Sequence, residues 1–370
     1  MSVSLGAAAS YTPAVVARRS VTLRSALASV APGQPLRDGL DRVVKAHMGA
    51  LVVLGDGPDV LNICSGGFLL DAQFTPQRLG ELCKMDGAII LAPDASRIAR
   101  ANVHLVPNPN VPTSETGTRH RTAERVARSI DVPVISVSEE MGVIAVYVGN
   151  VKHVLEDIPR LLNRANQALQ TLERYRTRLD DMASSLSALE VEDVVTLRDV
   201  ATMLQRNEMV RRIAVEVESY VVELGVDARL IRLQLDELMG DSEDDRHHVM
   251  QDYLGRDDAW TVDHALEALA DLDTDELLDL RTVATTLRLP GGPDLDKPLQ
   301  PRGFRLLAKV PRLPDPVIDH VVERFGSLQK IMRATVPDLI DVDGVGDIRA
   351  RAIKDGLSRL AETSILDRYS

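Results

Sequence analysis

Two short stretches carry the residues best suited to chemistry. Gly117-Thr118-Arg119-His120-Arg121-Thr122 sets two arginines around a histidine, directly after a loop. That is a dense set of donors for a polyphosphate, because a guanidinium's planar fork matches phosphate oxygens. Upstream, Asp86-Gly87-Ala88 places a carboxylate in a turn at the head of an apolar run, where it can hold a metal ion. Together they point to nucleotide chemistry.

The elements that must position them follow from the flanking text. Pro107, Pro109 and Pro112 preclude regular structure across 107–116. The chain then turns through Gly117, and Thr118 reads as the N-cap of a helix running to Ile130. No Glu stands three positions on, so this is not a capping box. The placement aims free N–H groups and the positive helix end at the mouth of the loop, with Arg119, His120 and Arg121 in the first turn. Cations there oppose the helix dipole at a cost of up to about 1 kcal/mol each, which a bound anion offsets. The bland alternative is a solvated basic turn paired with Glu115 or Glu124, and Asp-Gly alone is a common turn.

Between residues 23 and 154 helical and strand periods alternate. Leu36, Leu40, Val43 and Val44 mark an amphipathic helix, and Leu79, Leu82 and Cys83 a shorter one. Buried strands are read at 50–54 and 87–92, with further strands at 98–105, 132–137 and 143–148. Strands this apolar need cover on both faces, so this is an α/β domain. No G-x-x-x-x-G-K-[ST] loop occurs, and Gly55-Asp56-Gly57-Pro58-Asp59-Val60 lacks the third glycine of a dinucleotide fingerprint.

The middle of the chain is different. Ile158, Ala165, Leu172, Leu179 and Leu186 recur every seven residues, beside a companion seam of Leu155, Leu162 and Leu169. This predicts one helix of roughly 30 residues, about 45 Å long, a plain bundle member or a spine between end domains. Helical patterning continues through 194–239, an acidic, turn-rich patch at 241–245 and a further helical stretch to Leu289. His247-His248 reads as a solvated pair in a turn. Residues 290–301 hold four prolines and two glycines and read as a linker.

Composition bounds the rest. Hydrophobic content of 45% with 26% charged residues is that of a soluble globular protein of two or three domains. Aromatics at 3% argue against the stacking platforms of many single-strand binders. A net charge of −12 argues against coating nucleic acid over the whole surface, yet residues 301–370 hold 12 Lys+Arg against 10 Asp+Glu. Cys64 and Cys83 read as small buried apolar residues rather than a disulfide or zinc site. No apolar run reaches the ~18 residues that span a bilayer. The first 37 residues contain no acid, and Arg18, Arg19 and Arg24 faintly mimic a transit peptide. Without an apolar h-region, 1–20 reads as a disordered extension on a cytosolic protein.

Near the C-terminus, Leu339-Ile340-Asp341-Val342-Asp343-Gly344-Val345-Gly346 runs into Asp347-Ile348-Arg349-Ala350-Arg351-Ala352-Ile353-Lys354. This helix, Gly-h-Gly hairpin and helix resemble a helix-hairpin-helix. Gly344, Val345 and Gly346 would bring backbone within reach of a DNA phosphate, with Arg349, Arg351 and Lys354 adding contacts. Such contacts follow DNA shape and fall with salt. Val310-Pro311-Arg312-Leu313-Pro314 resembles a degenerate first copy. A hairpin used only for protein contact is the plainer alternative.

Taken together, Asp86-Gly87-Ala88 and Arg119-His120-Arg121 resemble the two signatures of the diadenylate cyclase (DAC) domain. The order of units is similar to bacterial members of that family that carry a DNA-binding end. The resemblance implies an α/β cyclase domain with a mixed sheet at 21–154, an all-α helical domain at 155–289, a linker at 290–301 and an all-α helix-hairpin-helix domain at 302–370. It implies condensation of two ATP molecules to cyclic di-AMP across a subunit interface, in a homo-octamer. Asp86 would hold Mg²⁺ or Mn²⁺, while Gly117, Thr118, Arg119, His120, Arg121 and Thr122 grip phosphates. Gly87 and Ala88 would approach the nucleotide, Leu105 the adenine and Ser138 a phosphate. Branched or damaged DNA, a DNA-repair protein, a nucleoid location and suppression of the cyclase by DNA are further expectations of the resemblance. The rival readings are a nucleotide-sensing DNA binder without catalysis and a repair scaffold without a nucleotide.

Overall fold

The computed structural model describes residues 23–369 except 241, 256–258 and 293; the N-terminal extension read from the sequence lies outside the described residues. The chain divides into two compact units, Met1–Asn166 with Val217–Leu233, and Gln167–Glu216 with Gln234–Ser370.

The first unit is built on an eight-stranded mixed sheet. Its strands are β1 (Ala50–Leu54), β2 (Cys64–Ser65), β3 (Phe68–Gln73), β4 (Ala88–Leu91), β5 (Arg97–Leu105), β6 (Val134–Val137), β7 (Ile144–Val148) and β8 (Val151–Val154). Their order is β2-β5-β4-β1-β6-β7-β8, with β3 also pairing β5. β1 and β4 are parallel, and every other pairing is antiparallel. All five residues of β1 are buried, because the sheet is covered on both faces as its apolar runs require. One face packs Val52 and Leu54 against Leu36, Leu40 and Val43 of the Pro35–Lys45 helix and against Leu79. The other packs Leu51 and Val53 against Ala123, Val126 and Ala127 of the Thr118–Ile130 helix. In the same unit His153 of β8 meets Glu223, Nε2 to Oε2, at 2.8 Å.

The second unit is helical. The Ile158–Glu192 helix, which starts in the first unit, buries Ala165, Leu172, Leu179 and Leu186. Leu155 of the expected companion seam precedes the helix, which begins at Ile158 with Pro159 in its first turn, where no N–H is needed, and Leu162 is only half-buried. Helices Leu197–Leu224 and Arg229–Met239 follow, the first belonging to this unit as far as Glu216 and the second from Gln234. The acidic stretch expected as a turn instead opens a helix, Ser242–Tyr253, which carries His247 and His248. Acidic residues favour a helix's first turn, which the turn reading overlooked. His247 lies 4.0 Å from Asp263, so the pair is neither in a turn nor simply solvated.

The described residues of 290–301 form no helix. They are pinned along the start of the Leu197–Leu224 helix by Leu197 N–H to Lys297 O (2.9 Å) and Leu299 N–H to Val195 O (2.8 Å). Beyond them a buried polar cluster anchors the Phe304–Ala308 helix. Asp252 accepts the N–H groups of Gly303, Phe304 and Arg305 at 2.6, 2.7 and 2.9 Å, and Arg305 meets Glu190, both below 2% exposure. Burial, with Glu190 nearby, pushes the Asp252 carboxyl up to about 7. Cys83 is buried but Cys64 only partly so, since it lies on the short strand β2 and donates its thiol to Val60 O at 3.1 Å. Among the described residues no helix is long and apolar enough to cross a membrane.

Candidate active site

Sheet register creates the site. β5 and β6 run against β1 and β4, so the starts of β1 and β4 and the ends of β5 and β6 meet at one end. There Ala88 pairs with Val103, and Ala50 with Val137.

Asp86 is presented by a turn that only glycine completes. Gly87 has φ +100°, and a Cβ on it would lie 2.8 Å from the Asn102 carbonyl carbon and 2.9 Å from Val103 N. Asn102, itself at φ 54°, donates its side-chain amide to the Asp86 carbonyl. The carboxylate is left 92% exposed, with the Arg119 guanidinium 3.1 Å from Oδ1.

The basic cluster opens the Thr118–Ile130 helix. Gly117 is the N-cap, not Thr118, since the first helical hydrogen bond runs from Arg121 N–H to Gly117 O at 2.9 Å. The extended backbone of Gly117 makes that turn, and no side chain caps the helix, which leaves its first turn receptive to an anion. The preceding loop is tied to the helix: Arg125 Nε donates to Val111 O at 3.0 Å, and Glu124 accepts from Ser114 N–H at 3.0 Å. Glu124 also pairs with Arg128 at 2.7 Å and Glu115 with Lys152 at 2.6 Å. Neither acid neutralises the basic turn; Arg119 reaches Asp86 and, at 3.4 Å, Glu139.

Two cavities meet at Thr118 and Arg119. One, of about 450 Å³, has an apolar wall of Leu51, Ala88, Val103 and Leu105, with Asp86, Gly87, His104 and Thr122 around it. The other, of about 440 Å³, is lined by Gly117, His120, Val137, Ser138, Glu139 and Glu140. Both volumes are of ligand size. Thus Asp86, Gly87, Ala88, Leu105, Gly117, Thr118, Arg119, His120, Thr122 and Ser138 are brought together. Arg121 is not: it lines neither cavity, and its guanidinium donates to Thr116 O at 3.1 Å. Ser138 accepts from Met141 N–H at 3.2 Å in the turn after β6.

The reading of the sequence missed Glu139, Tyr147 and Lys152. Glu139 was legible as an acid next to Ser138 at a strand end. Tyr147 lies on β7 and gave no local signal. Its hydroxyl stands 3.0 Å from His120 Nδ1 and 3.2 Å from Glu115 Oε1. Burial pulls the His120 pKa down, against the pull of Glu115, with Lys152 and Arg119 adding to the lowering. Burial also pushes the nearby Cys83 thiol up to about 12, although Arg119 opposes it.

Among the described residues no group of three or more His, Cys, Asp and Glu could hold a metal ion by itself. Asp86 supplies one exposed carboxylate. That suits a magnesium-like ion, which takes one or two carboxylates and completes its shell with phosphate oxygens and water.

In the second unit two helices flank the stretch read as a hairpin. The Val336–Ile340 helix leads through Gly344, φ +81°, into the Asp347–Tyr369 helix, with Val345 buried in the core. The Phe304–Ala308 and Asp315–Phe325 helices flank a similar hairpin, in which Arg312 adopts φ 62° where the other has Gly344. Arg349 donates to Gly344 O and Lys354 to Met332 O, each at 2.6 Å, so both brace the fold. Arg351 is 67% exposed, beside Asp347 at 3.1 Å.

Residues 37–151 match the family described as DisA bacterial checkpoint controller nucleotide-binding, and residues 155–295 the DisA bacterial checkpoint controller linker region. The chain is 56% identical over 351 residues to the DNA integrity scanning protein DisA of Streptomyces coelicolor, covering 94% of each chain. It is 56% identical over 348 residues to its counterpart in Frankia alni, covering 94% of this chain and 97% of that one. A crystal structure of DacA from Staphylococcus aureus shares 23% identity, covering 38% of this chain and 90% of that chain at a TM-score of 0.28, a likeness too slight to argue from.

Proposed function

Since this chain belongs to the DisA family and is a diadenylate cyclase, we propose that it condenses two ATP molecules into cyclic di-AMP in the cavities between Asp86 and Ser138. Each ribose 3′-hydroxyl attacks the α-phosphorus of the other ATP; the new O–P bond replaces the bond to the β-phosphate, and two pyrophosphates and two protons leave. The observation that carries this reading is the meeting of Asp86 and Arg119, 3.1 Å apart, at the wall of one cavity.

Phosphoryl-type transfer asks the protein for position and charge neutralisation. Leu51, Val103 and Leu105 give the adenine an apolar seat, while Thr118, Arg119, Thr122 and the uncapped helix start hold phosphate oxygens. His120 and Ser138 extend that grip into the second cavity. Arg121 reaches a phosphate only if it leaves Thr116 O. Asp86 would hold Mg²⁺ or Mn²⁺ against the phosphates, supplying a Lewis acid that acidifies the 3′-hydroxyl and neutralises developing charge.

One chain offers one nucleotide site, so the facing ATP comes from a second copy, within an octamer by analogy with the family. Exposed Phe68 and Leu69 on β3, at the sheet edge beside β5, support a subunit contact there. The hairpin at Gly344–Gly346 would bind branched or damaged duplex through its phosphates, slow the cyclase on engagement and serve a repair partner at the nucleoid of a bacterial cytoplasm. Mass spectrometry for cyclic di-AMP after incubation with ATP and Mg²⁺ or Mn²⁺ tests the core of this reading. Product from the wild type supports it; none, with metal present and ATP bound, overturns it.

A further inference from the structure

Behind the phosphate cavity stands a hydrogen-bonded chain that the cyclase reading leaves without a role. Lys152 of β8 pairs with Glu115 at 2.6 Å, the Tyr147 hydroxyl donates to Glu115 Oε1 at 3.2 Å, and the same hydroxyl oxygen lies 3.0 Å from His120 Nδ1. Tyr147 is 1% exposed, so its hydroxyl has no recourse to water. A hydroxyl has one proton. With that proton given to Glu115, the oxygen can only accept from His120, and Nδ1 carries a hydrogen in either charge state of the ring. Nε2 is then the atom that titrates. The ring borders the cavity: His120 and Gly117 both line it, and Cδ2, bonded to Nε2, lies 3.5 Å from where a Gly117 Cβ would be.

We propose that Tyr147, held by Glu115, is a positioning residue that fixes the His120 proton on Nδ1, so that Nε2 takes up a proton from solvent when a triphosphate enters. The inference rests on reading this cavity as the ATP phosphate site. Without a ligand the ring is neutral near pH 7, because burial lowers its pKa and Lys152 and Arg119 reinforce that, with Glu115 opposing. A bare Nε2 lone pair and a phosphate oxygen repel. An incoming polyanion favours the imidazolium, whose two N–H groups are then both used, one on Tyr147 and one on phosphate. The charged groups around the ring are Glu115 from the loop, Lys152 from β8 and Arg119 from its own helix, with Glu139 and Glu140 after β6 lining the same cavity; Glu124 acts on Tyr147.

The test is calorimetric titration of the full-length protein with 3′-deoxy-ATP and Mg²⁺, a pair that cannot cyclise, in buffers of unlike ionisation enthalpy. The wild type is expected to take up on the order of half a proton more per nucleotide than His120→Gln near neutral pH. Tyr147→Phe and Glu115→Gln, both close in shape, are expected to lose most of that excess and to bind several-fold more weakly. Unchanged uptake in Tyr147→Phe, or equal uptake in wild type and His120→Gln, overturns the inference while leaving the nucleotide site intact. No binding by the wild type overturns the ATP reading and this inference with it.

Discussion

The Arg119 guanidinium spans two carboxylates, Asp86 at 3.1 Å and Glu139 at 3.4 Å, and thereby joins the two signature turns across the mouth of the site. Asp86 is 92% exposed, so the pair adds little to stability and yields readily to a ligand. Asp86→Asn is therefore expected to leave thermal stability and ATP binding near wild type, while product formation falls at least roughly a hundredfold. Cyclic di-AMP quantified beside an ATP-binding isotherm checks this. Near-normal product would remove Asp86 from the reaction.

Gly87 links the site to the fold. Its φ of +100° and the approach of Asn102 and Val103 exclude a Cβ. Gly87→Ala is expected to destabilise the first unit by about 1–3 kcal/mol and to displace Asp86. Chemical denaturation with tryptophan-independent detection, such as far-ultraviolet circular dichroism, reads the loss. A variant of wild-type stability would show that the turn relaxes freely.

What the sequence disclosed, and what it hid, follows period and contact. β1 and β4 were readable because both faces are buried, leaving uninterrupted apolar runs. The Gly149-Asn150 turn between Val148 and Val151, which are paired across it, was a two-residue hairpin signal that passed unused, so β8 went unread. β3 was unreadable for a different reason: Phe68, Leu69 and Leu70 do not alternate, and a bulge shifts the register after Leu69. Asp86 and Arg119 were found because each sits in a locally dense pattern. Tyr147 reaches His120 from 27 residues away and depends on sheet register, which no local spacing encodes.

A pH effect follows from His153. Its Nε2 lies 2.8 Å from Glu223, whose hydrogen bond raises the His153 pKa above the ordinary 6.5, against the effect of burial. A raised folded pKa means that the folded state holds the proton more tightly. The stabilisation is full below about 6.5 and is lost as pH rises through the folded pKa. Wild-type melting temperature should thus exceed that of His153→Gln more at pH 6 than at pH 9. A difference independent of pH would assign His153 a packing role only.

The Glu190–Arg305 pair should show the asymmetry of buried charges. Tyr253 donates to Glu190 at 2.7 Å and Arg305 donates to Ser187 at 2.9 Å, so each charge has further partners inside the second unit. Arg305→Met leaves Glu190 buried and uncompensated, at an expected cost of about 3–5 kcal/mol. Replacing both residues by methionine should recover part of that loss in urea denaturation. A double variant no more stable than Arg305→Met would mean that Glu190 without Arg305 is not an uncompensated buried charge, against the asymmetry expected here.

Arg351 separates DNA contact from folding. Arg349 and Lys354 are engaged with Gly344 O and Met332 O, so replacing them disturbs the hairpin as well as any phosphate contact. Arg351 projects from the first turns of the Asp347–Tyr369 helix, where it pairs with Asp347 of the same helix. Arg351→Ala should keep the melting temperature. It should weaken binding to a four-way junction and lower the slope of log affinity against log salt by about one, uniformly across sequences. Fluorescence anisotropy at several salt concentrations gives both numbers. An unchanged slope would move the phosphate contact to another residue, and loss confined to one DNA sequence would contradict recognition through the backbone.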